Sequence, residues 1–181
     1  LQHEALELIY IARILRGTDH DGFYSWRKLG AISSNLAAVS TFFDHHWDRV
    51  SQNLPEFWQG WLQNDAGNYL RASGRFSEAL VATQAAMEMA ERNEEWRFAS
   101  TRMCNLIELK LVMGSIDHAV SAGYRGIGFA EKSKNQMMIC ALNTRAADTM
   151  FQAGEFKKAG QFFEEAESAQ KKSEYSYPLL Y

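Results

Sequence analysis

The sequence feature that most constrains the fold is a glycine that recurs at intervals of forty residues, at Gly74, Gly114 and Gly154. A bulky apolar residue stands two positions after each glycine, and an alanine stands three positions further on. A fixed period of about 20–50 residues is typical of proteins that stack one supersecondary unit several times. The matching residues of the three copies are Phe76 and Ala79, Ile116 and Ala119, and Phe156 and Ala159.

Each position of this motif has a physical role in a tight helical hairpin. Glycine ends a helix at low cost because it accepts a left-handed backbone conformation. The apolar residue then anchors the start of the returning helix, and alanine allows two helix axes to approach closely where they cross. We therefore predict a turn at each glycine and a close helix contact at each alanine.

Helical periodicity on both sides of the glycines supports the same prediction. Apolar residues recur at three- and four-residue spacing both before and after Gly74. The chain has only two prolines, and no stretch alternates apolar and polar residues as strands do. The prediction is an all-α fold, with further hairpins over about 95–132 and 136–171 and connectors at 93–94 and 133–135.

The residues before the first clear repeat predict a divergent leading hairpin. Their periodicity indicates one helix over 4–16 and another over about 23–43, joined by a polar turn at 17–22. Pro55 suits the first turn of the next helix, and Asn53 is the predicted cap of that helix.

The motif Gly-x-Phe/Ile-x-x-Ala resembles the core of the tetratricopeptide repeat. Residues 26–181 as a whole, with Leu29-Gly30-Ala31-Ile32, Trp47 and the ending Tyr177-Pro178-Leu179-Leu180-Tyr181, look like the helical-repeat tail of bacterial STAND-type signalling ATPases. The resemblance implies a right-handed superhelix (α-solenoid) of antiparallel helix hairpins with a period of about 40 residues. In that family the tail senses or holds a partner and controls a nucleotide-binding switch. No GxxxxGK[ST] phosphate loop is present here, so nothing of the ATPase is carried over.

This resemblance also implies a division of the chain into three parts. They are a divergent hairpin with an aromatic and histidine-rich loop (1–52), three tetratricopeptide-like hairpins (53–173) and the start of a further, truncated helix (174–181). Because the chain opens without Met and ends on an apolar segment, we expect it to be part of a longer protein.

Under the tetratricopeptide resemblance, the first helix of each pair lines a concave, partner-binding face. We expect a peptide segment or a partner domain to bind there, with self-association as a further outcome because the ends of three repeats are unprotected. Residue by residue, the face comprises Trp61, Asn64, Asn68 and Arg71, then Thr101, Cys104, Glu108 and Leu111, then Ala141, Thr144, Asp148 and Phe151.

Composition excludes several other classes of protein. The formal net charge is −3 and the charged residues alternate in sign, which argues against a nucleic-acid-binding face. The two cysteines, Cys104 and Cys140, have neither disulfide-framework nor zinc-site spacing. No apolar run is long enough to span a membrane, and we expect a cytoplasmic protein. We also expect neither a cofactor nor a metal.

Two alternatives to a protein-binding scaffold stay open at the level of sequence. One is a receptor that holds a small molecule or peptide signal in a cavity between repeats. The other, less favoured, is an enzyme or metal site at His45 and His46 with their flanking aspartates. Consecutive histidines usually diverge, and no third ligand follows at ligand spacing, so the sequence favours a loop pinned by its aromatic residues.

Overall fold

A computed structural model of the chain describes residues 1–16 and 24–172. Helices make up 79% of it and pack consecutively, so the all-α prediction is confirmed. No described helix has the length and apolar character needed to cross a bilayer. The elements in chain order are α1 (Gln2–Glu4), a π-helical segment (Ala5–Leu15), α2 (Tyr24–Arg27), α3 (Ile32–Ser40), β1 (Phe43–His45), β2 (Arg49–Val50), α4 (Glu56–Ala72), α5 (Phe76–Arg92), α6 (Trp96–Val112), α7 (Ile116–Ser133), α8 (Gln136–Gln152) and α9 (Phe156–Lys172).

The chain forms two compact units, Leu1–Ala86 and Met87–Tyr181, with the boundary inside α5. The first unit contains the leading helices, the β-ribbon and α4. The second contains α6–α9, in which each helix packs on the next and α6 also contacts α8.

The three repeat glycines occupy the turns that the sequence predicts for them. Gly74, Gly114 and Gly154 have φ values of 74°, 72° and 79°, in the left-handed region. The glycine N–H bonds to the carbonyl three residues back, and the next N–H bonds to the carbonyl five residues back, at 2.8–3.0 Å. This pair of hydrogen bonds is the Schellman motif, which satisfies the last carbonyls of a helix. Accordingly α4, α6 and α8 begin at residues 56, 96 and 136, and their partners begin at 76, 116 and 156.

The repeat alanines are buried, as the predicted helix contacts require. Ala79, Ala119 and Ala159 are all buried. Phe156 differs from its predicted role as an anchor of the returning helix, because 65% of its surface is exposed.

The connectors between hairpins use the same left-handed turn without glycine. Glu94 and Lys134 have φ values of 55° and 52°. A side chain with a Cβ pays a conformational cost in this region. The Glu95 N–H to Ala90 O bond of 2.9 Å shows that the first connector repeats part of the glycine-turn geometry.

The leading residues depart most from the sequence prediction. The helix predicted over 4–16 is present, but Ala5–Leu15 is π-helical, and the Arg16 N–H bonds to Ile11 O, five residues back. The single helix predicted over 23–43 is wrong: α2 and α3 are separated by Gly30, which has a φ of 59°. The predicted turn at 17–22 and the segment 174–181 lie outside the described residues.

The loop predicted around the two histidines contains a short antiparallel β-ribbon. Phe43 pairs with Val50 and His45 with Arg49, and an irregularity lies between them. Pro55, predicted within the first turn of α4, is the residue that immediately precedes Glu56. Asn53 is not the cap, since Pro55 occupies the N-cap position of α4. The Asn53 Nδ2 donates to Ser51 Oγ at 3.5 Å.

Two glycines of α7 allow the close packing of the second unit to be tested. A Cβ on Gly126 would lie 2.7 Å from Leu142 Cδ2 and 3.0 Å from Met103 Cγ, whereas a Cβ on Gly128 would meet nothing within 4 Å. Alanine at either position gains about 0.5–1 kcal/mol of helix stability over glycine. Only at position 126 does this gain compete with overpacking, which costs about 1–3 kcal/mol.

We predict that Gly128→Ala stabilises the protein and that Gly126→Ala destabilises it by a net amount of about 1–2 kcal/mol. Urea unfolding followed by circular dichroism measures both changes. The two variants share the same change in helix propensity, so their difference isolates the packing term. An equal gain in stability for both would contradict the close helix contact.

Candidate protein-interaction surface

The residues predicted for the partner-binding face occupy matching positions on α4, α6 and α8. Positions 61, 101 and 141, and likewise 64, 104 and 144, 68, 108 and 148, and 71, 111 and 151, are related by intervals of forty. Each side chain is exposed or half-buried, while neighbouring positions on the same helices are fully buried. These columns are therefore available at the surface of their own unit.

In the second unit, an ion pair joins α8 to α6 on this face. Arg145 Nη2 donates to Glu108 Oε2 at 3.3 Å, and both side chains are about a third exposed. Such a pair contributes roughly 0–1 kcal/mol to stability, so its main effect is to order the two side chains. Thr101 Oγ1 lies 3.4 Å from Met138 Sδ, a second contact between the same helices.

Cys104 belongs to this face, but its thiol is not reactive. Burial raises the pKa of its thiol to about 12, and Glu108 adds to the rise while Arg145 opposes it. Burial also raises the pKa of Cys140. The thiolate is the reactive form of cysteine, so neither residue is poised for nucleophilic chemistry near neutral pH.

One end of the face carries exposed aromatic surface. Phe151, at the end of α8, is 58% exposed, and its ring packs edge-on against that of Phe156 at a centroid distance of 5.3 Å. The intervening turn at Gly154 places the two rings together. Two adjacent, exposed phenylalanines form an apolar patch of the kind that marks interaction sites.

In the first unit, the structure gives Trp61 a partly structural role. Its ring lies edge-on to Tyr10 at 6.2 Å and to Trp58 at 5.7 Å. Asn64, Asn68 and Arg71 follow along α4 and are half-buried. Trp61 therefore packs against the leading π-helical segment and is half-buried.

The histidine segment is a surface ribbon. His45 Nδ1 and Asp48 Oδ1 are 2.8 Å apart, and this contact lowers the pKa of Asp48. His46 is exposed, and Trp47 adopts a positive φ of 65°. Among residues 1–16 and 24–172, no three histidine, cysteine, aspartate or glutamate side chains are grouped to hold a metal ion.

A buried polar network in the first unit was not anticipated from the sequence. Tyr10 donates to Asp65 Oδ2 at 2.6 Å, and Asn35 Nδ2 approaches Tyr69 Oη at 3.3 Å and Ser25 Oγ at 2.9 Å. Asp65 is only 4% exposed. Burial raises its pKa to about 7, although hydrogen bonds from Tyr10 and Tyr69 oppose the rise.

This network joins the leading elements to α4 and is closed to solvent. The Asp65 carboxylate in turn raises the pKa of Tyr10 strongly, together with burial. Perturbed carboxyl groups often mark functional sites. Here the depth of Asp65 denies access to a substrate, so its effect falls on stability. The sequence signal was an aspartate one helical turn before Tyr69, within the apolar stripe of α4.

We predict that Asp65 makes stability depend on pH near neutrality. The folded-state pKa of about 7 lies above the ordinary value of 3.8. Between these values the folded state holds the proton that the unfolded state releases, so the free energy of unfolding falls as pH rises from about 4 to about 7. Asp65→Asn removes this titration and is expected to stabilise the protein at about pH 8, relative to wild type, by roughly 2–4 kcal/mol.

Urea unfolding of both proteins at about pH 5 and about pH 8 measures the effect. Other titrating groups are the same in the two proteins and cancel in the comparison. Parallel pH profiles for wild type and Asp65→Asn would show that Asp65 ionises in the folded state as it does in water.

The comparisons with known proteins give this surface no named counterpart. No protein-family model matches the chain, and no curated protein is significantly similar to it. The resemblance to tetratricopeptide repeats and to the tails of STAND-type ATPases therefore rests on the sequence motifs alone.

Proposed function

We propose that this chain is a protein-interaction scaffold, a tetratricopeptide-like right-handed superhelix that holds a peptide segment or partner domain as part of a larger cytoplasmic signalling protein. Repeat architectures favour this role because each hairpin contacts only its neighbours, which leaves the outward side chains free to vary for binding. The paired helices α6–α7 and α8–α9, with a Schellman turn inside each pair, support the assignment.

The observation that carries the proposal is the exposed aromatic pair at the end of α8. Phe151 and Phe156 together leave more than half of each side chain in water. Burying an aromatic side chain against a partner yields about 1.5–3 kcal/mol, whereas in the isolated chain this surface contributes nothing. Aromatic residues that become buried in an interface commonly supply a large share of its binding energy.

The polar columns of α6 and α8 complete the surface. Asp148 Oδ1 accepts from Gln152 Nε2 at 3.2 Å, which leaves further acceptor capacity on the carboxylate. Thr144 is half-buried and directs its hydroxyl to Cys140 O at 2.9 Å. An extended segment bound here would place an apolar residue on the phenylalanines and meet Asp148 and the Glu108–Arg145 pair with polar groups.

The test places a photo-cross-linker at position 151. A photoreactive phenylalanine analogue at position 151 is expected to cross-link a discrete partner in extract of the source cell, because this ring lies at the interface. The same analogue at position 81 of α5, where Val81 is also exposed, serves as the control.

Binding of the identified partner is then compared between Phe151→Ala/Phe156→Ala and Val81→Ala. We expect the double variant to lose at least about tenfold in affinity, or about 1.4 kcal/mol, and Val81→Ala to bind as wild type does. Circular dichroism confirms that both variants are folded. Equal cross-linking from positions 81 and 151, or unchanged affinity of the double variant, would remove this face from the interface.

A further inference from the structure

A second surface of the Met87–Tyr181 unit has the features of a ligand-binding cleft. A cavity of about 290 Å³ lies between α7, α8 and α9, and a shallower one of about 640 Å³ adjoins it along α7 and α9. The two share Glu165 and Ser168, so they are parts of one cleft, named here the α7–α9 cleft. It is distinct from the columns of the partner-binding face.

One residue that lines this cleft has a buried oxygen without a hydrogen-bond partner. Asn143 is only 3% exposed, and its Nδ2 donates to Ile139 O at 2.9 Å. That bond fixes which end of the amide is the nitrogen. Asn143 Oδ1 therefore remains an acceptor with no donor in the described part of the chain.

A buried acceptor without a hydrogen bond lowers the stability of the fold. Such a residue therefore needs an explanation, and binding of a ligand that donates to it is one. The equivalent residue forty positions earlier is Met103, which is buried and apolar. An apolar side chain thus suits this position in the preceding repeat. Asn143 itself lines the cleft, so a donor that enters the cleft meets the residue that carries this oxygen.

The rest of the cleft selects the kind of donor. Its walls include the apolar side chains Ile127, Ala130, Ile139 and Ala169, which suit an aliphatic stem. Glu131 and Glu165 line the same part of the cleft and form no ion pair with a described residue. The cleft is therefore apolar along its sides and rich in acceptors.

Helix termini add to the negative potential. The last turns of α7 and α9 both reach the cleft, and only the first turn of α8 opposes them. The carbonyl end of a helix carries a partial negative charge that favours cations. Lys172 also lines the cleft, while Lys158, in its outer part, pairs with Glu155 at 3.2 Å.

We propose that the α7–α9 cleft binds the arginine side chain of a partner peptide. A guanidinium offers several planar donors, enough for Asn143 Oδ1 and a glutamate together, and it is more weakly hydrated than an ammonium. The methylene stem lies along the isoleucine and alanine walls. The outer part of the cleft, where Tyr124 and Phe162 pack edge-on at 5.9 Å, receives the flanking residues of the peptide.

The probe is a short blocked peptide with one central arginine, titrated by calorimetry and by NMR of the Asn143 side-chain amide. We expect saturable binding, at least tenfold weaker for the citrulline peptide, which has the same shape without the charge. Free arginine amide is also expected to bind at least tenfold more weakly, because it cannot reach the outer cleft. Equal affinity for free arginine amide would overturn the peptide assignment in favour of a small-molecule site.

The decisive variant is Asn143→Met, which installs the residue of the preceding repeat. We expect it to be at least as heat-stable as wild type and to lose binding at least tenfold. Glu131→Gln/Glu165→Gln, at exposed positions, is expected to weaken binding similarly, and Lys172→Gln to strengthen it. Glu94→Gln, the same type of charge change at an exposed position outside the cleft, is the control and should bind as wild type does.

Wild-type affinity in both the Asn143→Met and the double glutamine variant would overturn the proposal, as would a failure of the arginine peptide to shift the Asn143 amide signals. If Asn143→Met does not fold, the double glutamine variant decides alone. Loss of arginine binding leaves the Phe151 surface untouched, so the two proposed sites are tested independently.

Discussion

The close approach of helices through alanine and glycine is the constraint on which the rest of the structure depends. At Gly126 the space available to a side chain is already filled by Leu142 and Met103, from the helices before and after α7. Small residues at these crossings fix the distance between helices, and that distance fixes which side chains point inward. The outward columns of α6 and α8, and the cleft beside them, are the surface that remains once this packing is set.

Two buried polar residues differ in whether the packing around them supplies hydrogen-bond partners. Asp65 accepts a hydrogen bond from Tyr10 at 2.6 Å, but its donors offset only part of the cost of burial, so its pKa rises to about 7. Asn143 satisfies only its nitrogen, and the residue lines a cleft whose sides are apolar. The Tyr10–Asp65 hydrogen bond holds the leading π-helical segment against α4. Asn143, by contrast, leaves a buried acceptor in the lining of the α7–α9 cleft for a ligand to satisfy.

Sequence patterns predicted the hairpins well because their signals are local. Gly74, Gly114 and Gly154 mark turns through backbone freedom alone, and a Schellman turn needs only the residues adjoining it. The leading residues were predicted less well. A continuous apolar period over 23–43 hid the break at Gly30, and no periodicity distinguishes the π-helical Ala5–Leu15 from an ordinary helix. The short ribbon at Phe43–Val50 has too few residues to give an alternating pattern.

By itself, the sequence determined the helical class, the three glycine turns and the alanines buried beside them, because backbone conformation and side-chain size act over a few residues. Tertiary structure decided the chemistry. Whether Asp65 is paired, whether Asn143 Oδ1 has a donor and whether Phe156 anchors a helix or meets water all depend on side chains brought in from other helices. Those neighbours lie too far along the chain for periodicity to place them, since burial is a property of packed helices and not of any one of them.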